Sequence, residues 1–138
     1  MTPQQVALIQ ESWRKVLPIS DTAAELFYSR LFALDPSLKP LFKGDMKLQG
    51  RKLMSMLNTV VYGLSTFERL EPAVRQLGQR HDGYGVQPLH YRTVAEALLW
   101  TLKQGLGDAF TEETEFAWLA AYGKLAALMQ GKQTVPSA

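Results

Sequence analysis

The chain has 138 residues, 46% hydrophobic and 20% charged, a balance that belongs to globular domains and excludes disordered and fibrous classes. With no Cys and only two His, His81 and His90, it excludes thiolate nucleophiles, disulfide frameworks, iron–sulfur clusters, Cys-ligated zinc and multi-histidine metal sites. The formal charge is +2 and the 15 Lys and Arg are distributed along the chain, which gives nucleic-acid binding little electrostatic support. No segment is apolar enough to span a membrane, and Met1 to Gln5 lacks the character of a secretory signal. A cytoplasmic protein with neither nucleic acid nor membrane as partner is the expectation.

Helical spacing dominates and strand-like alternation is absent, so the predicted class is all-α. Thr2, Pro3 and Gln5 read as an N-cap, a first-turn proline and a capping-box partner for a helix running to about Val16, with Pro18 beyond its end. A second helix starts near Ser20 or Asp21, carries Ala24, Phe27, Tyr28, Leu31 and Phe32 on one face, and stops before Pro36. Asp35 and Pro36 repeat the cap-plus-proline signal for a short helix ending near Phe42, and Lys43-Gly44-Asp45 forms a turn. A longer helix, from about Met46 to Leu64, places Gln49, Leu53, Leu57, Val60, Val61 and Leu64 on one face.

The next helix carries Leu70, Val74, Leu77 and His81 and breaks at Asp82-Gly83-Tyr84-Gly85. Pro88 opens a helix whose face is Tyr91, Val94, Ala95, Leu98, Leu102 and Leu106, ended by Gly105 and Gly107. Thr111 caps the last helix, with Glu112 and Glu113 where the helix dipole favours negative charge. Phe116, Trp118, Leu119, Tyr122, Leu125, Ala126 and Met129 make that helix apolar on nearly every side, which predicts deep burial. Residues from about 131 to 138 read as a flexible tail. Residues 1–138 form one domain in this reading, with no repeat or linker.

Three of the apolar faces are each interrupted by one polar side chain, Tyr28, Gln49 and His81. Burying such groups without partners costs about 1 to 3 kcal/mol each. Taken singly, each has an ordinary explanation: His81 as a hydrogen-bonded core histidine, Gln49 as a helix-surface residue, Tyr28 as a core phenol whose hydroxyl reaches the surface.

Taken in order, several segments carry more. Leu26-Phe27-Tyr28-Ser29-Arg30-Leu31-Phe32, Asp35-Pro36-Ser37-Leu38-Lys39-Pro40-Leu41-Phe42, Arg51-Lys52-Leu53-Met54, and Leu77-Gly78-Gln79-Arg80-His81 through Gly85-Val86 together resemble the globins. The resemblance runs from Trp13 to Trp118 and Tyr122 and is nearest to bacterial single-domain globins related to flavohaemoglobins and neuroglobin. It implies a 3-over-3 helical sandwich around one haem b. In that family reading His81 is the proximal iron ligand, Phe42 stacks on the porphyrin, and Gln49, 32 positions before His81, is the distal residue. Tyr28 and Leu53 complete the distal pocket, and Val86 belongs to the haem-binding set.

Lys47, Arg51 and Lys52 stand near the distal helix start and could pair with haem propionates, or be solvated surface charges. Tyr91 matches a proximal-side tyrosine of flavohaemoglobins, or is ordinary helix packing. His90 is expected to face solvent or a haem edge. The second ring nitrogen of His81 needs an acceptor, which the Leu77 carbonyl one turn back could supply. No Asp or Glu follows Glu115, so the last-helix glutamate that flavohaemoglobins pair with the proximal tyrosine has no counterpart. The FAD- and NAD-binding module of those proteins is also missing from these residues. The resemblance therefore implies reversible binding of O2, CO and NO, with NO dioxygenation served by an external reductase as the leading activity. Non-enzymatic O2 storage, carriage or sensing is the alternative.

Overall fold

The computed structural model describes residues 1–83 and 88–131. Among them there are six α-helices, α1 (Pro3–Val16), α2 (Ser20–Leu34), α3 (Met46–Gly63), α4 (Phe67–Gly83), α5 (Pro88–Leu106) and α6 (Glu112–Met129), and no strand. Short 3-10 turns at Leu17–Ile19, Pro36–Leu41, Leu64–Thr66 and Gly107–Ala109 join them.

Most of the punctuation read from the sequence operates as expected. The Thr2 hydroxyl accepts from the Gln5 amide while the Gln5 side chain accepts from the Thr2 amide, closing the capping box. Asp35 accepts from the Ser37 amide, and the Thr111 hydroxyl accepts from the Thr114 amide. Asp45, expected to lie within a turn, is also the N-cap of α3, accepting from the Lys47 amide at 2.9 Å. Pro18 stands just beyond the end of α1 at Val16, as expected. It sits inside the 3-10 turn that leads straight from α1 into α2, and Pro72 lies within α4.

The core is built where α2 packs on α3 and α5, α1 on α6, and α4 on α6. Trp13 and Trp118 meet at 6.2 Å between ring centroids. Their indole N–H groups are satisfied across helices, Trp13 donating to Asn58 and Trp118 to the Ser12 hydroxyl. The Gln10 amide donates to the Val61 carbonyl and ties α1 to α3. Helix α6 corrects one expectation: Trp118, Leu125, Ala126 and Met129 are buried, but Phe116 is 66% and Leu119 43% exposed. The helix is apolar all round, yet only one stripe of it meets other helices.

Two glycines set the helix spacing that matters for the site. A Cβ on Gly50 would lie 2.9 Å from that of Ala24, and one on Gly78 would collide with the backbone of Met129. Hydrogen there brings α3 close against α2, and α4 close against α6.

Candidate functional site

Helix α2 turns Ala24, Phe27, Tyr28 and Leu31 inward, as their helical spacing dictates. Tyr28 is 7% exposed and lies among aromatic rings, with Phe27 at 5.0 Å, Phe42 at 5.3 Å and Phe32 at 6.0 Å between centroids. Phe42 is delivered by the segment between the Pro36–Leu41 turn and Asp45, where Gly44 takes the positive φ of +121° that lets the chain turn into α3. The Gly50–Ala24 approach then presses the start of α3 onto α2. The half-buried Gln49 there lies near enough to the Tyr28 phenol to influence its ionisation. Burial pushes the Tyr28 pKa above its ordinary value, and the Gln49 contact offsets part of that rise. The phenol is therefore a protonated donor at neutral pH.

Helix α4 carries His81, half-buried, with Nδ1 at 2.8 Å from the Leu77 carbonyl oxygen. A carbonyl only accepts, so Nδ1 is the protonated nitrogen and Nε2 carries the lone pair. That is the tautomer required of a metal-ligating imidazole held by a backbone acceptor.

The N-terminal part of α5 contributes Tyr91, 7% exposed. Its backbone carbonyl accepts a 2.5 Å hydrogen bond from the Tyr122 hydroxyl on α6. Burial, and secondarily the neighbouring Tyr91, hold the Tyr122 phenol well above the usual tyrosine range. Sequence reasoning placed Tyr122 only as core. A polar-tipped aromatic on an otherwise apolar helix was the available signal, because a buried phenol needs an acceptor.

Other residues named from sequence fall into place as follows. Leu53 is half-buried against the core, and Arg51, Lys52 and Lys47 are exposed. Lys47 and Arg51 line a cleft of about 460 Å³ between α2 and α3, together with Asp21, Glu25, Tyr28 and Phe32. His90 is half-buried and close enough to Asp35 to contribute to its lowered pKa, although the Ser37 hydrogen bond is the larger cause. Val86 lies outside the described residues. The structure thus gathers Tyr28, Gln49 and Phe42 into one group, sets His81 on a separate helix with its tautomer fixed, and joins α5 to α6 through Tyr91 and Tyr122.

Among the described residues no cluster of three or more His, Cys, Asp or Glu is placed to hold a metal ion. A metal here would have to arrive with most of its own ligands, needing one imidazole from the protein. An iron porphyrin meets that condition. The aromatic cluster offers an apolar ring face, the Tyr28–Gln49 pair offers buried donors, and the His81 tautomer offers the axial nitrogen, so the residues present fit haem.

Comparison with known proteins agrees. The globin family model matches residues 25–129. A flavohemoprotein of Xylella fastidiosa strain Temecula1 is 31% identical over 97% of this chain, and one of Vibrio cholerae 30% over 91%. The matches cover 34% and 33% of those proteins, so the chain spans about a third of the length of the curated relatives. Among solved structures, an engineered carbene transferase made from a putative nitric oxide dioxygenase of Rhodothermus marinus superposes with a TM-score of 0.84 at 29% identity. That match covers 95% of this chain and 92% of the other. The family match, an all-helical core and a His–Tyr–Gln constellation suited to haem lead to one conclusion: the chain belongs to the globins, and it resembles the haem domain of flavohaemoglobins.

Proposed function

We propose that this globin holds haem b through His81, binds O2, CO and NO, and acts in NO detoxification by dioxygenation, with electrons supplied from outside these residues. The observation that carries the reading is the Tyr28–Gln49 pair, two hydrogen-bond donors brought together on an apolar, aromatic wall. When bound, haem would supply ferrous iron to hold O2 and the one electron needed for O2 and NO to combine as nitrate, which leaves ferric iron to be re-reduced.

The protein's own residues perform the rest. The Leu77 carbonyl fixes the His81 ring, so Nε2 is the nitrogen for iron. Gln49, beside the Tyr28 hydroxyl, would supply a second donor to the bound ligand. Burial keeps that hydroxyl protonated, and so able to donate to a ligand that gathers negative charge. Each such hydrogen bond in a dry pocket stabilises the charged ligand by about 1 to 3 kcal/mol. Phe42 would support the ring face and Leu53 narrow the approach, and the exposed Arg51 and Lys52 are available to pair with propionates. Tyr91, pinned by Tyr122, packs on the proximal side.

The test is absorption spectroscopy of the purified protein in ferric, ferrous, O2 and CO forms, followed by rapid mixing of the oxygenated form with NO. A Soret band that disappears in His81→Ala, with stoichiometric consumption of NO, supports the proposal. Reversible O2 loading without NO consumption assigns the protein to storage, carriage or sensing instead.

A further inference from the structure

Residues 39–52 carry five cations, Lys39, Lys43, Lys47, Arg51 and Lys52, against one carboxylate, Asp45, for a net charge of +4 in a chain whose total is +2. All five are exposed, and among the described residues none has a carboxylate within ion-pair distance. Asp45 spends its side chain capping α3. Asp21 and Glu25 share the α2/α3 cleft with Lys47 and Arg51, so the outward charge rests mainly on Lys39, Lys43 and Lys52. Between these cations stand Leu41, Met46 and Leu48, at 36%, 36% and 48% exposure.

The same segment holds Phe42, whose ring touches both Tyr28 and Phe32. Its connection from the 3-10 turn to α3 is only Phe42 to Asp45, and Phe42 itself is half-buried.

We infer that this basic, apolar-centred face docks an acidic one-electron donor protein of the ferredoxin class, with Phe42 behind it leading into the site. Small charged interfaces with an apolar centre suit transient redox encounters, and opposite charge steers them. The second exposed apolar patch, Phe116 and Leu119 beside Glu112, Glu113 and Glu115, has the sign that repels such a donor. The need for a donor comes from the functional reading above. In the encounter one electron leaves the reduced iron–sulfur cluster and converts ferric to ferrous iron, with no proton transferred.

The probe is a purified acidic [2Fe–2S] ferredoxin kept reduced by its NADPH reductase, mixed with the ferric protein. The second-order rate is expected to fall about tenfold when ionic strength rises from about 20 to 200 mM. The Lys39→Glu/Lys43→Glu double variant is expected to lose about tenfold at low salt, and Leu48→Ser a smaller factor. Reduction by dithionite, the CO spectrum and NO consumption by the chemically reduced protein should stay unchanged in both variants. Amide NMR shifts induced by oxidised ferredoxin should centre on Lys39, Lys43 and Leu48, an arm read on the purified chain whatever its NO activity. Equal rates in wild type and double variant, or shifts centred on Phe116, would overturn the assignment. So would cosedimentation with anionic vesicles that the double variant loses while its ferredoxin rate is kept, since that assigns the face to a membrane surface. Failure to consume NO after chemical reduction would count against the functional reading alone.

Discussion

At the scale of single residues, the site turns on which groups donate. Tyr28 is kept protonated by burial, an effect that the nearby Gln49 partly offsets. Replacing it with Phe removes one hydrogen bond while keeping the ring contacts with Phe27, Phe32 and Phe42. Loss of about 1 to 3 kcal/mol of ligand stabilisation corresponds to an O2 dissociation rate roughly five- to 150-fold faster. Stopped-flow displacement of O2 by CO measures it, and an unchanged rate would remove Tyr28 from the distal role. His81→Gly should abolish stoichiometric haem uptake, and added imidazole should restore a Soret band, because the Leu77 carbonyl and the helix remain to seat the free ring. These residues were legible in sequence because each is polar on an apolar face. Tyr122 was not singled out, because its partner is the backbone carbonyl of Tyr91, and a main-chain acceptor leaves no mark on a side-chain pattern.

At the scale of elements, helix approach is what converts a list of polar residues into a site. Gln49 comes near Tyr28 only because Gly50, its neighbour, lets α3 close on Ala24 of α2. Gly78, one turn before His81, likewise lets α4 close on the backbone of Met129. A methyl group at Gly78 meets main-chain atoms that cannot rotate away, so Gly78→Ala forces the two helices apart. Overpacking of this kind costs about 1 to 3 kcal/mol, and thermal melting should show a drop of several degrees. The Soret position should shift as well, since His81 rides on the displaced helix. A variant with wild-type melting would show that α4 and α6 are not held this tightly. Helix starts were readable from Thr2, Asp35 and Thr111, whose side chains cap the very amides their positions suggested. Pro18 marks the end of α1 as its place after Val16 suggested, while Pro72 sits inside α4 without ending it. The face that α6 presents to the core was hidden by its own composition: with apolar residues all round, nothing in the sequence separates the buried Trp118 from the exposed Phe116.

At the scale of the whole molecule, two buried phenols couple the fold to pH. Tyr28 and Tyr122 both have pKa values raised above 10.0, burial being the larger cause in each. In the unfolded chain these phenols ionise near pH 10. In the folded protein they retain their protons, so above that pH the unfolded state binds fewer protons than the native one. Stability is therefore fully present below pH 10 and is lost as pH rises toward the folded-state values. Each phenol contributes up to about 1.4 kcal/mol per pH unit to the slope. Urea titrations between pH 9 and 11.5 should show the midpoint falling steeply above pH 10, and Tyr122→Phe should flatten the fall while costing some stability at neutral pH through the lost bond to the Tyr91 carbonyl. Tyr28→Phe should flatten it too, without touching the α5–α6 link. Equal slopes in the wild type and both variants would mean that neither phenol is sequestered in the folded protein, and the donor role of Tyr28 would then lose its physical basis along with the alkaline limit.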